Sequence, residues 1–225
     1  MKKITFLIAA LLVTLQLHTS AQFISGFGIK GGVTFSNQKL DYKSFNLNLD
    51  VKYITGFNGS IFAEFMNSRT VNLFAETGYD RRGFIMNIIR TDEFGNQIGE
   101  YNIKNATNYI FVSAGAKLKF PTKHVTPYIL LEPRLNFYLG YSVTSQDESL
   151  VSNENPVLED FKKTMLDIGA GAGIEFNHLL PYRTFIEANY FPGIITSYSN
   201  QYLDVWEHSI NIKLGINFIK DKKKK

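Results

Sequence analysis

The sequence predicts an all-β fold, an eight-stranded antiparallel up-and-down transmembrane β-barrel that follows a cleaved signal peptide. Three observations support this prediction. Apolar and polar residues alternate with a period of two along almost the whole chain after residue 21, as in strands with two unlike faces. Short and long connections between the predicted strands alternate strictly, which is typical of outer-membrane barrels. Charged residues in the middle of the strands fall almost entirely on one face.

The N-terminus has the pattern of a secretory signal peptide. Lys2 and Lys3 precede an apolar run over residues 4–17, and the small residues 19–21 offer a cleavage site. The run is shorter than the roughly 20 residues that a membrane-spanning helix needs, so an uncleaved anchor is the less favoured alternative. We therefore expect a signal peptide over residues 1–21, a barrel domain over residues 22–219 and a basic tail over residues 220–225.

Composition excludes several kinds of protein. The chain has no cysteine, so it has no disulfide framework, no thiolate nucleophile and no cysteine-ligated metal. The formal net charge of +4 falls to about +2 when Lys2 and Lys3 are removed, and part of the remainder lies in the tail. This is no basic groove, and we expect no nucleic-acid partner. Beyond the signal peptide no apolar stretch is long enough for a membrane-spanning helix, so a span would require a closed barrel.

The strands are predicted where period-two alternation coincides with β-branched and aromatic residues. They cover residues 24–36, 54–65, 71–84, 108–120, 128–141, 165–176, 184–192 and 207–218. Short turns are predicted at residues 66–70, 121–127 and 177–183, and longer polar loops at residues 37–53, 85–107, 142–164 and 193–206. In an outer-membrane barrel the short turns and both termini are periplasmic and the long loops are extracellular. No linker interrupts this meander, so we expect one domain.

Three alternating glycines mark the sixth predicted strand. Gly169, Gly171 and Gly173 share one face with Asp167, whereas the other face is apolar. A dinucleotide-binding loop would require a third glycine where Ile174 stands, followed by a helix, and the sequence has neither. In a narrow lumen, glycine instead makes room for large neighbouring side chains.

The mid-strand charges are sorted onto the glycine-bearing face. A lipid-facing Arg or Lys costs about 2–4 kcal/mol at the middle of a bilayer, so this sorting is what a membrane barrel needs. Only Arg81 falls on the apolar face, near the outer end of its strand. The charges predicted to form a lumen network are Lys30, Glu64, Glu76, Lys117, Glu132, Arg134, Asp167, Glu175, Glu187 and Lys213, and Asp80, Arg82 and Lys119 share their face.

A soluble barrel, apolar inside and charged outside, would show the same alternation. Glycines on the polar face, sorted loop lengths and aromatic residues near strand ends all favour the membrane. The predicted aromatic girdle residues are Phe35, Phe65, Tyr79, Phe120, Tyr141, Phe176 and Phe218. A soluble ligand-binding barrel remains the weaker alternative.

The predicted lumen is filled by side chains. Its acidic and basic groups nearly balance, and buried charges are tolerated when they are paired. Aromatic residues on the same face occupy further volume; they are Phe62, Phe74, Phe111, Tyr128, Tyr138 and Phe185. We therefore expect an ion-paired plug, with an open aqueous pore as the alternative.

No enzyme, metal site or cofactor is predicted. His124 and His178 fall in short turns, and only His208 lies near the outer rim, close in sequence to Asp204, Glu207 and Ser209. A polar rim residue beside Trp206 is the favoured interpretation of His208. The acidic third loop could offer oxygen ligands to Ca²⁺, but its spacing matches no EF-hand. The acidic residues of that loop are Asp147, Glu148, Glu154, Glu159 and Asp160.

Several motifs resemble those of the Bacteroidota-type outer-membrane β-barrel domains that are called PorT-like or "porin family". They are the "SAQ" at the signal end, "GIKGGVTFS", "FAETGYDRRGF", "TPYILLEPRLNFYLGY" and the final "IKLGINF". The chain departs from the pattern at Glu132, where glycine is expected before Pro133. The resemblance implies a small barrel in the outer membrane with no established catalytic residues. It also implies insertion by the barrel-assembly machinery, which would read Phe218 in the last strand.

Two classes of function remain open at this point. One is a structural or interaction protein with extracellular recognition loops and a plugged lumen. The other is a transport element that passes small solutes or assists a secretion apparatus, as the link of the family's namesake to protein secretion hints. Both place the chain in the outer-membrane lipid, with an extracellular or secretion-system protein as a further partner that the sequence does not name.

Overall fold

The computed structural model describes residues 24–43, 51–66, 68–145, 162–176 and 182–220, apart from the side chains of residues 219 and 220. The predicted signal peptide, parts of the first and third long loops, His178 and most of the basic tail lie outside the described residues. Within these ranges, no helix has the length and apolar character to cross a membrane.

The described residues form nine antiparallel β-strands. They are β1 Ile24–Tyr42, β2 Val51–Phe65, β3 Val71–Thr91, β4 Gln97–Lys119, β5 Val125–Ser145, β6 Thr164–Phe176, β7 Tyr182–Phe191, β8 Thr196–Ser199 and β9 Leu203–Lys220. Each strand from β1 to β6 pairs with the next, β7 pairs with β9, and β9 pairs with β1. Eight strands, β1 to β7 and β9, therefore form a closed up-and-down ring. The ninth strand, β8, is short and pairs only with β9.

The extra strand, β8, lies inside the predicted loop 193–206. It pairs with the same edge of β9 as β7 does, but nearer the loop end, opposite residues 204–206. Pro192 and Gly193 separate β7 from β8, and Gly193 has a φ of 62°, which glycine adopts without strain. His208 Nδ1 lies 2.9 Å from the Pro192 carbonyl oxygen and ties this break to β9. The seventh strand of the ring is thus interrupted once, between β7 and β8, because a proline and a left-handed glycine cannot continue the ladder.

The prediction of a loop over residues 85–107 is wrong. β3 and β4 stay paired through most of it, and only a tight turn after Thr91 joins them. The Asp92 carboxylate closes that turn by accepting hydrogen bonds from the backbone N–H groups of Phe94 and Asn96 at 2.9 and 2.8 Å. The Asn96 side chain also donates to Asp92, and these hydrogen bonds hold the pKa of Asp92 below its usual range. The result is a hairpin arm that rises beyond the barrel.

The two faces of the wall are opposite to those of a soluble barrel. Outward side chains are apolar and exposed, such as Leu214 at 66% and Ile61 at 60%, whereas Glu132 and Arg134 inside are 0% and 1% exposed. Phe57 and Tyr79 stack on the outer surface with ring centroids 5.1 Å apart, as expected for a girdle at the membrane interface. The soluble-barrel alternative therefore does not fit the structure.

One predicted girdle residue, Tyr141, belongs to the interior face. The register between β4 and β5 shifts at Asn108/Tyr109, so that Tyr141 pairs with the buried Thr107, and its hydroxyl hydrogen-bonds to the Asn105 side chain. A β-bulge inserts one residue and so reverses the parity of everything beyond it.

Candidate functional site

The barrel interior holds a column of charged side chains. Among the described residues, eight acidic and six basic side chains are buried: Glu64, Glu76, Asp80, Glu132, Asp167, Glu175, Glu187 and Glu207, with Lys30, Arg82, Lys117, Lys119, Arg134 and Lys213. They face inward because alternate residues of a strand point to the same side. Every strand of the ring contributes at least one of them, so the column links the whole wall.

At the short-turn end the column begins around Glu64. Lys117 and Lys119 lie 2.9 and 3.5 Å from the Glu64 carboxylate oxygens. Lys119 also lies 2.7 Å from Glu175, so it bridges two acids on different strands. Asn217 donates to Glu64 from the last strand at 3.3 Å.

The middle of the column is centred on Lys30. Its Nζ lies 2.6 Å from Glu76 and 2.8 Å from Glu187, which belong to strands on opposite sides of β1. Lys213 makes a second ion pair with Glu76 at 3.2 Å, and Tyr128 donates its hydroxyl to Glu187 at 2.9 Å. These contacts join strands that are up to 157 residues apart in sequence.

Two arginines organise the part nearer the loops. Arg134 lies 2.8 Å from Glu132 and 3.1 Å from Asp80. Arg82 lies 2.9 Å from Asp80 and 2.7 Å from Asp167. Asp80 therefore accepts from both guanidinium groups, and a planar guanidinium is suited to hold two carboxylates at once.

Asn189 joins the middle and upper parts of the column. Its Nδ2 lies 3.0 Å from both Glu132 and Glu187. The ionic contacts thus run without a break from the short-turn end almost to the loops. Burial of each charge is costly, and the cost is offset only because each acid from Glu64 to Glu187 has a cationic or amide partner.

Four inward aromatic rings form a second element, which we call the aromatic collar: Phe62, Phe74, Tyr128 and Phe185. Each ring stands directly across from a glycine on the neighbouring strand, in the pairs Gly28–Phe62, Phe74–Gly115, Tyr128–Gly173 and Phe185–Gly215. Each pair lies within a different pair of adjacent strands, so the collar surrounds the lumen. A Cβ at any of the four glycines would overlap the ring opposite. The glycines provide the space that the rings fill.

The Lys117 ammonium lies at the centre of the collar. Its Nζ is 5.5 Å from the Phe62 ring centroid, 5.4 Å from Phe74, 4.9 Å from Tyr128 and 5.1 Å from Phe185. A cation within about 6 Å of a ring face is attracted by the ring quadrupole. Lys117 therefore combines an ion pair with four cation–π contacts and occupies the cross-section of the lumen there.

Glu207 is an interior charge that does not belong to the predicted network. Its Oε1 accepts from Gln38 and from the Tyr109 hydroxyl, each at 2.9 Å. Its Oε2 has no hydrogen-bond partner, and no cationic side chain among the described residues lies within ion-pair distance. Parity along β9 could have found it, since Glu207 shares a face with Lys213.

The ten predicted network residues all lie in the interior. Phe218 lies outside, near the short-turn end, with its ring 5.7 Å from Phe27 and 5.9 Å from Tyr182. The His208 neighbourhood does not assemble as a catalytic group. Glu207 and Ser209 point inward, whereas His208 contacts Pro192, and Asp204 pairs with Lys43 at 3.0 Å. No group of three or more possible metal ligands is present in the described part of the chain.

Comparison with solved structures finds several small outer-membrane proteins. Ail of Yersinia pestis shares 16% identity over 86% of this chain and 98% of its own, with a TM-score of 0.39. Neisserial surface protein A shares 14% identity over 87% of this chain and 99% of its own, with a TM-score of 0.45. OprG of Pseudomonas aeruginosa shares 9% identity over 88% of this chain and 97% of its own, with a TM-score of 0.42.

A comparison with curated protein sequences finds no match. The family model described as "Outer membrane protein beta-barrel domain" matches residues 20–199, which is most of the chain and includes β1 to β8. The chain therefore belongs to the outer membrane protein beta-barrel domain family.

Proposed function

We propose that this outer-membrane barrel is a closed scaffold that acts through its loop end and does not conduct solutes. The observation that carries the proposal is the interior column, in which Lys117 is held on all sides by the aromatic collar. An eight-stranded barrel is just wide enough for side chains to fill its interior. A pore would require this network to open, which would leave several buried charges without partners.

The hairpin arm formed by β3 and β4 supports an interaction role. It carries exposed apolar side chains beyond the barrel, among them Phe94 at 88%, Ile89 at 59% and Ile98 at 56% exposure. Loops and arms on a rigid scaffold are frequent binding elements. The partner we infer is an extracellular or secretion-system protein.

Planar-bilayer recording tests the closed lumen. We expect the purified mature chain to produce no discrete conductance steps, under conditions in which an open porin does so. Stable steps from the wild-type chain would contradict the proposal and would favour the alternative, transport of small solutes.

The finer assignments are part of the same proposal. We place the chain in the PorT-like subgroup on the motifs quoted above, with no enzymatic activity. Signal cleavage after residue 21 would leave the barrel domain, residues 22–219, and the basic tail. Insertion by the barrel-assembly machinery would use Phe218, whose outward position on the closing strand β9 fits recognition from the membrane side.

A further inference from the structure

A basic cavity lies on the outer wall of the barrel, above the apolar belt. Lys52, Ile85, Asn102, Lys104, Thr144 and Ser145 line it, and its volume is about 400 Å³. Within the part of the chain that the structure describes, no carboxylate lines this cavity. It is separate from the interior column, because no charge of the column lines it and because Ile85 and Lys104 alternate with the buried pair Phe84 and Asn105.

The strand register places the lysines of this cavity side by side. Lys52 of β2 pairs with Ile85 of β3, Ile85 pairs with Lys104 of β4, and Lys104 pairs with Thr144 of β5. Neighbouring strands are about 4.8 Å apart, so the two lysine Cα atoms are separated by roughly 10 Å. Two flexible lysine side chains at that separation reach a common anion.

Neither amine has an acidic partner in the described ranges. Lys52 and Lys104 are both exposed, and neither forms an ion pair with a described residue. The nearest acid on the hairpin arm is Glu100, whose carboxylate accepts a hydrogen bond from the Asn87 side chain at 3.1 Å. Glu100 pairs with Ile89, which lies four residues beyond Ile85 along β3. Two like charges that face one cavity without a counter-charge among the described residues favour an anionic ligand.

The height of the cavity indicates which anion lies beside it. Tyr79, stacked on Phe57, marks the interface on the same outer face of β3, and Ile85 is six residues further toward the loops. At about 3.3 Å per residue and a strand tilt of about 40°, this is roughly 15 Å above the girdle. At that height a barrel wall faces the sugar portion of outer-leaflet glycolipids, above the phospholipid headgroup level.

We propose that Lys52 and Lys104 bind a phosphate group on the sugar core of an outer-leaflet glycolipid, with Asn102 and Thr144 as hydrogen-bonding neighbours. The proposal rests on the proposed function only in taking the loop end as the extracellular one. It does not depend on a closed lumen, so conductance recorded on the same preparation tests that claim separately.

The test is binding of purified rough lipopolysaccharide to the folded full-length mature barrel in detergent. We expect the double variant Lys52→Gln/Lys104→Gln to bind about tenfold more weakly, and the difference to shrink as salt rises. The variant Lys52→Arg/Lys104→Arg should retain binding. The matched control is Lys39→Gln, because Lys39 is also an outward lysine near the loop end, but its ammonium lies over Trp206 of β9, on the side of β1 away from Lys52.

Three results would overturn the proposal. The first is unchanged binding of lipopolysaccharide by the double glutamine variant, provided that heat-modifiable gel mobility shows the variant to be folded. The second is an equal loss in Lys39→Gln, which would indicate attraction to overall positive charge. The third concerns the source of the phosphate. Inorganic phosphate that competes at the same concentration as the glycolipid would exclude a glycolipid phosphate as the ligand. Undiminished binding of dephosphorylated lipopolysaccharide would exclude it as well.

Discussion

Tyr128 and Gly173 face each other across β5 and β6, and the Tyr128 ring fills the space that a side chain at position 173 would need. The hydroxyl of the same tyrosine donates to Glu187 at 2.9 Å. The alternating glycines of β6 therefore leave room for inward side chains of the neighbouring strands: Phe191 at Gly169, Asn189 at Gly171 and Tyr128 at Gly173. Their role is steric, and it explains why they stand on the charged face.

Gly173→Ala should lower the free energy of unfolding by about 1–3 kcal/mol, as overpacking of a filled interior does. The new methyl group would overlap the Tyr128 ring, which cannot swing away without losing its hydrogen bond to Glu187. Urea unfolding of the refolded barrel measures the change. Gly59→Ala is the control, because a Cβ at that outward glycine meets no atom within 4 Å. Equal effects of the two substitutions would contradict the steric account.

Glu132→Gln should destabilise the barrel by about 3 kcal/mol, because it removes a carboxylate that Arg134 contacts through two nitrogens, at 3.0 and 2.8 Å. Glu207→Gln should change the free energy of unfolding by less than about 1 kcal/mol, since Glu207 has no cationic partner among the described residues. The two variants make the same chemical change inside one barrel, so their comparison isolates the ion pair. A larger loss for Glu207→Gln than for Glu132→Gln would show that the described pairs do not stabilise the interior.

Lys117→Ala should produce conductance steps that the wild-type chain lacks. The substitution removes the ammonium from the centre of the aromatic collar and leaves the carboxylates of Glu64 and Glu187, so the current should be cation-selective. Lys117→Met fills similar volume without charge and should remain closed. If Lys117→Ala stays silent in planar bilayers while folded, Lys117 is not the element that closes the lumen.

Phe218→Ala should slow insertion into the outer membrane, because we propose that the barrel-assembly machinery reads this residue. The control is Phe57→Ala, which removes an outward aromatic residue from β2 and leaves the last strand intact. Pulse-chase labelling followed by membrane fractionation compares the two variants. Wild-type insertion kinetics for Phe218→Ala would contradict the proposal, and equal slowing of both variants would indicate a general loss of girdle contacts.

Period-two parity was sufficient to predict the ring strands and the inward position of all ten network residues. It works because a one-residue slip would place residues such as Glu132 in lipid, so the register is strongly specified. It failed where the backbone departs from regular alternation. The bulge before Tyr141 reversed the parity of that residue, and the break at Gly193 hid β8 in a predicted loop.

The partners within the interior could not be predicted from the sequence. Lys30 meets Glu187 across 157 positions, and which charges share a level depends on the stagger of the closed barrel. The hairpin arm was missed for a different reason. Beyond the membrane both faces of β3 and β4 contact water, so neither face has to be apolar and the alternation fades.

The filled interior is the central claim, and the reactivity of a single introduced thiol tests it most directly. The chain has no cysteine, and Ser113 is buried at mid-barrel between Glu76 and Arg134 on the neighbouring strands. We predict that Ser113→Cys in the folded, membrane-inserted protein resists a small water-soluble thiol reagent until the barrel is unfolded. Phe94→Cys at the exposed tip of the hairpin arm should react at once. Comparable reaction rates at the two positions would show that water and solutes enter the lumen and would contradict the closed barrel.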